Sequence, residues 1–243
     1  MTKAKYLKRV QLKVFHDCMD QIAPFIEGGN YDRALEIMDE FRIGSNTMNP
    51  RGRTFAFLLI ERQSVHGLAS ITAKETEEKR RRYFEFSKRF IDRGAELDHQ
   101  DRYGLTLLNW AVWKACGSLC VFLLDCGASP HIADSTNRPP LAYSMPCHAR
   151  WNDSEMVLQA APVIVPALLR AGADPYFAYP TYEEVQNNSW LSWALNGKRD
   201  NVFCANFMED VLIHSRSKSL PPERLAVYKL FFDTCKELNL LKE

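Results

Sequence analysis

The chain has 243 residues, 46% hydrophobic and 25% charged, enough to bury a sizeable core as one or two domains. Its net charge of +1 provides no global field to favour nucleic acid or an anionic membrane. No apolar run approaches the roughly 18 residues of a membrane span, and the lysine-bearing stretch from Met1 to Asp20 has no apolar core of a secretory leader. Seven cysteines, an odd number without framework spacing, are expected to be buried thiols of a reducing compartment, so a cytoplasmic location is expected.

From the N-terminus, Tyr31, Ala34, Leu35, Ile37, Met38 and Phe41 predict an amphipathic helix over residues 22–41. Asn49-Pro50-Arg51-Gly52 then reads as a turn, with a helix beginning at Thr54-Phe55-Ala56. Lys79-Arg80-Arg81-Arg82 is the most basic run; Glu75, Glu77 and Glu78 precede Lys79, Arg81 and Arg82 by four residues, the favourable helical order. A charge-laced helix with a solvated face is therefore expected there, leading into Tyr83, Phe84, Phe86 and Phe90, rather than a localisation signal or a phosphate contact.

The middle of the chain repeats itself. Gly94-Ala95 and Gly127-Ala128, Asp101 and Asp134, and Leu108 and Leu141 are all 33 residues apart. A fixed step of this size predicts stacked supersecondary units instead of one globular core. In the clearest unit, Asp101 to Ala133, Gly104 supplies a positive φ to a turn and Thr106 caps a helix carrying Leu107, Leu108, Ala111 and Val112. Ala115-Cys116-Gly117-Ser118 breaks that helix, a second runs from Leu119 to Asp125, and Gly127 stops it.

Asp101-x-x-Gly104-x-Thr106-x-Leu108 with Ala111, followed by Val121-x-Leu123-Leu124-x-x-Gly127-Ala128, resembles the ankyrin repeat. The unit lacks the family's Pro after Thr106 and has Asn109 in place of the motif's His, where the amide can stand in for a ring nitrogen. The resemblance implies an all-α, ankyrin-type helical solenoid of about four divergent repeats, at 49–100, 101–133, 134–183 and 184–215. A helical cap would occupy 1–48. A C-terminal capping helix within 216–243, opening at Pro221-Pro222, would bury Leu225, Tyr228, Leu230, Phe231, Cys235, Leu238 and Leu241. Additions fall near 71–87, 147–156 and 174–183, and Asn137 and Asn187 take the turn-glycine place in the last two units.

Little in the chain proposes catalysis or a metal. Cys116, Cys120 and Cys147-His148 lack the second ligand pair a structural zinc requires, and neither a Gly-x-Ser-x-Gly elbow nor a phosphate-cradling loop is present. No cofactor and no metal are expected. The resemblance implies instead that a protein partner docks on the hairpin tips and inner helices. Carried onto this chain, the contacts are Arg51, Arg53, Arg102, Tyr103 and Arg138 at tips, with Trp113 and Lys114 late on a first helix. Gln100, Ser135, Thr136 and Gln186 share the tips, and Arg102, Tyr103, Trp113 and Arg138 have the composition of a binding hot spot. Tyr176, Phe177, Tyr179 and Tyr182 either join that surface as an aromatic loop or fold back over the fourth unit.

The expected function is thus a non-enzymatic monomer that binds one specific protein, with no nucleic acid and no membrane among its partners. Inhibition or neutralisation of that partner, in the manner of an inhibitor, immunity protein or effector, fits the irregular repeats. The rival is an enzyme whose site is built by the additions around Cys147 and His148, with Asp153 or His214.

Overall fold

The computed structural model describes residues 3–63, 73–145, 154–178 and 221–241, together with 208, 211, 212, 215 and 216. Among these the fold is all-α, with nine helices and no strand beyond an isolated antiparallel bridge from Met48 to Thr54. No helix among the described residues is long and apolar enough to cross a membrane.

Two helices open the chain, α1 (Lys3–Gly28) and α2 (Tyr31–Glu40). The single helix expected over 22–41 is therefore broken. Gly29 takes a φ of 77°, and the Asn30 side chain accepts the Arg33 backbone N–H at 3.3 Å as a new N-cap. The break lets α2 fold back on α1, so that Ala34, Ile37 and Met38 bury against a stripe of Cys18, Met19, Ile22 and Ile26.

Helices α3 (Phe55–Gln63) and α4 (Ala73–Asp92) form the next pair. The addition expected near 71–87 is helical from Ala73 and continuous with the segment after it. The apolar face keeps helical phase throughout: Tyr83, Phe86 and Phe90 are fully buried, and the Phe90 ring lies 6.0 Å from that of Phe55. Full burial of one such side chain stabilises by about 1.5–3 kcal/mol.

The basic run on α4 departs from a simple solvated face. Arg81 and Arg82 share Glu78 at 2.8 and 2.7 Å, and their hydrogen bonds hold its carboxyl down to about 2. Lys79, however, pairs with Glu27 at 2.8 Å, Arg82 donates to the Glu27 backbone carbonyl at 2.6 Å, and Arg80 donates to the Ala115 carbonyl at 3.3 Å. The Glu27 carbonyl lies in the last turn of α1, where acceptors are left unfilled, and the Ala115 carbonyl lies in the break between the two helices that come next; long side chains reach both. The run ties α4 to α1 on one side and to the next helix pair on the other.

That pair is α5 (Leu107–Trp113) and α6 (Gly117–Asp125), followed by α7 (Pro140–Tyr143) and α8 (Ser154–Arg170). The break between α5 and α6 is shorter than expected. Ala115 adopts a φ of 55°, α6 starts at Gly117 rather than Leu119, and Cys116 and Cys120 both lie buried at its start. A Cβ on Gly117 would stand 3.3 Å from Val163, so the missing side chain lets α8 approach.

Helices α3, α5 and α7 pack in succession, as do α4, α6 and α8 behind them, giving two layers of paired helices. Seven- and nine-residue helices such as α5 and α6 cannot persist alone, so neighbours supply their stability.

Each of α4, α6 and α8 ends alike. Gly94, Gly127 and Gly172 take φ values of 91°, 92° and 90°, and the alanine after each donates back to the helix at 2.9–3.0 Å. The last helix, α9 (Pro222–Glu237), packs on α8 and buries Val227, Tyr228, Phe231, Thr234 and Cys235. Leu225 and Leu241, expected on its apolar side, are exposed, because the buried stripe runs through Val227 and Thr234 instead.

Candidate functional site

Three turns share one construction. In each an Asn or Asp side chain folds onto its own turn. Asn49 accepts the N–H groups of Arg51 and Arg53 (2.8 and 3.2 Å), Asp101 those of Tyr103 and Leu105 (2.8 and 3.1 Å), and Asp134 those of Thr136 and Arg138 (2.8 and 2.9 Å). The fourth residue of each turn has positive φ: Gly52 at 71°, Gly104 at 77° and Asn137 at 57°. Successive turns are joined by their backbones, with Arg102 N–H donating to the Arg51 carbonyl at 3.1 Å and Ser135 N–H to that of Tyr103 at 2.9 Å.

A second tier of links lies beside them. The Asn46 side-chain oxygen accepts the Glu96 N–H at 2.7 Å, Asp98 accepts that of Ser129 at 2.8 Å, and His99 Nε2 bonds the Gly52 carbonyl at 2.7 Å. The turns are thus held edge to edge at a spacing set by backbone bonds.

Behind the second turn, the cap of α5 shows how Asn109 works. Thr106 accepts the Asn109 N–H at 3.3 Å while Asn109 Oδ1 accepts both the Thr106 N–H (2.9 Å) and its hydroxyl (2.6 Å). The amide also reaches the Ile132 carbonyl at 3.4 Å, so Asn109 ties the cap to the following loop. Thr54, at the same place in the preceding turn, has Phe57 where Thr106 has Asn109, and its buried hydroxyl has no partner among the described residues.

The sequence-predicted contacts divide by exposure. Arg51 and Arg102 are exposed at the tips, and Tyr103, Trp113 and Lys114 are half-buried. Arg53 has only 11% of its side chain exposed: its Nε donates to the fully buried Asp101 carboxylate at 2.8 Å, and its guanidinium lies 4.3 Å over the Trp110 ring. Arg138 is similarly engaged, donating to Asp134 at 3.1 Å and Thr136 at 2.7 Å while lying 5.0 Å over the Tyr143 ring. The Tyr143 hydroxyl donates to Asp134, and burial pushes its ionisation above the usual phenol range. Arg53 and Arg138 therefore act first as structural cations inside the turns.

The arrangement draws these residues into one connected row. Arg102 covers Tyr103 at 4.5 Å, and Arg53 lies between Tyr103 (6.0 Å) and Trp110. Trp110 meets Trp113 at 4.9 Å, Lys114 stands over both at 5.6 and 5.1 Å, and Trp113 meets Tyr143 at 6.5 Å. Trp110 and Tyr143 were missing from the sequence-derived set. Each lies nine positions after its turn aspartate, Asp101 or Asp134, which is the signal that could have found them.

Tyr176 and Phe177 are half-buried against the core, and Ala178 accepts from the Asn137 side chain at 2.9 Å; Tyr179 and Tyr182 lie outside the described residues. Cys147, His148, Asp153 and His214 also lie outside them, as does Gln186. Among the described residues no cluster of His, Cys, Asp and Glu could hold a metal. Burial pushes the Cys116 thiol up to about 11 and those of Cys18 and Cys235 up to about 12, so these sulfurs stay protonated and are poor nucleophiles.

No family model matches the chain, and no curated protein is significantly similar to it.

Proposed function

We propose that this chain is an ankyrin-type helical solenoid that binds one specific protein through its turn tips and the α5 face behind them. The observation that carries the reading is the stacked row of turns. Their backbones bond to one another, which leaves Arg51, Arg102 and Tyr103 on a preorganised edge next to Trp113 and Lys114. A rigid edge binds with little ordering cost, and Arg, Trp and Tyr are the residue types that dominate interface energies. The two helical layers and the recurring glycine exits support the solenoid. On this reading the protein is a cytoplasmic monomer without enzymatic activity, and occupation of the edge inhibits or neutralises the partner.

The test is a tagged pull-down from native cells with quantitative mass spectrometry, run in parallel on the Arg102→Glu/Trp113→Ala variant. A stoichiometric protein recovered by the wild type and lost by the variant is expected. Equal recovery by both, with an unchanged fold, would refute the assignment of the edge.

A further inference from the structure

We infer that the partner's docking segment is acidic: a stretch of Asp or Glu with an apolar or aromatic neighbour, seated along Arg51, Arg102 and Lys114 with Trp113 beneath it. This rests on the proposed interaction role and specifies its chemistry. The first observation is charge. The ion pairs of these turns are Arg53–Asp101, Arg53–Glu61 and Arg138–Asp134, and among the described residues Arg51, Arg102 and Lys114 enter none. The turn carboxylates cannot offset them, because the side chains of Asp101 and Asp134 are 0% and 5% exposed and already saturated by N–H groups, Thr136 and Tyr143. Glu96 and Asp98 are the exposed acids of the adjoining tier, and Asp98 accepts the Ser129 N–H. The unpaired cations thus stand at the tips and at the end of α5, with the exposed acids in the tier beside them.

A second observation is independent of the first. Trp110 is 4% exposed and its indole N–H has no hydrogen-bond partner among the described residues. A buried orphan donor is costly, and such groups are normally paired by protein or ligand. The indole, the two guanidinium groups and the ammonium are all donors and cannot accept. A carboxylate accepts on both oxygens and matches guanidinium geometry, so an acidic segment complements the three cations directly. It reaches the indole N–H only where Arg53 and Lys114, which lie over that ring, give way.

Nucleic acid also offers acceptors but fits less well. Bases need free ring faces, and here a cation already lies over each ring: Arg53 over Trp110, Lys114 over Trp113, Arg102 over Tyr103 and Arg138 over Tyr143. Ring edges remain, and these suit the apolar side chains of a peptide.

The test is selection from a display library of random peptides against the intact chain, followed by fluorescence titration of one synthesised binder with its acids kept or changed to amides. Selected sequences should be enriched in Asp and Glu. The chosen peptide should change tryptophan emission, weaken as salt rises, and lose about tenfold or more in affinity to Arg51→Glu/Arg102→Glu. Both arginines are exposed, so that variant should keep the wild-type far-UV spectrum. Selection of basic or neutral peptides that ignore the charge reversal would overturn the acidic assignment while leaving the interaction role standing. A mixed-sequence single-stranded oligonucleotide binding more tightly than any selected peptide would also overturn it. Recovery of no binder from this library or from a library of natural protein fragments would remove both.

Discussion

Replacing Gly104 by Ala isolates the contact that stacks the second turn on the third. The residue has a φ of 77°, and an ideal Cβ there would stand 2.6 Å from the Ser135 nitrogen and 3.0 Å from the Asp134 carbonyl carbon. Neither atom can yield like the end of a flexible side chain, since both are backbone. The same Ser135 N–H donates to Tyr103, so relieving the overlap parts the turns and stretches that 2.9 Å bond. The left-handed conformation alone costs an alanine about 1–2 kcal/mol. Overpacking adds about 1–3 kcal/mol and a weakened hydrogen bond about 1, giving roughly 3–6 kcal/mol in total.

The internal control is unusually clean. Gly94, Gly127 and Gly172 also have positive φ but nothing within 4 Å of a Cβ, so Ala at each reports the conformational cost alone, about 1–2 kcal/mol. Urea titration followed by far-UV circular dichroism measures all four. Gly104→Ala should lower the midpoint well beyond the other three. If it matches Gly127→Ala within about 0.5 kcal/mol, the turns are not packed as described and the preorganised edge loses its basis.

Other consequences follow from single side chains. Thr106→Val removes the N-cap and leaves buried Asn109 short of a partner, so about 2–3 kcal/mol should be lost in the same titration, whereas Thr54→Val, which removes an unpartnered hydroxyl, should be neutral or stabilising. Arg42 is exposed and holds a φ of 56° after α2, so Arg42→Gly should raise stability by about 1 kcal/mol; a loss there would mean that its side chain makes a contact the fold needs. Thiol burial predicts a labelling pattern. Cys18, Cys116, Cys120 and Cys235 are buried with raised pKa values, so iodoacetamide at pH 8 should spare them in native protein and modify Cys126. Cys126 is reached because it is exposed, although partial desolvation and the nearby Asp92 and Asp125 raise its pKa too. Peptide mapping by mass spectrometry reads this directly, and labelling of Cys116 at the rate of Cys126 would contradict its burial.

What the sequence determined by itself was the chemistry that acts within a few residues. Asp101 with Gly104, Thr106 with Asn109 and Gly127 with Ala128 are legible because their bonds close over four or five positions, and a 33-residue step marks the units carrying them. The break at Gly29-Asn30 was equally local, but the apolar period running through it concealed the stop. Tertiary structure decided which cations remain available. Arg51, Arg53, Arg102 and Arg138 look equivalent as tip residues in the sequence. Arg53 finds Asp101 at a separation of 48 residues and is largely buried, while Arg51 and Arg102 remain outside. The same holds for Arg80 and Arg82, whose carbonyl partners lie 35 and 55 residues away. Side-chain periodicity specifies which face a residue occupies. It carries no information about which helix end or which buried carboxylate will come to lie opposite, because packing alone brings those groups within reach.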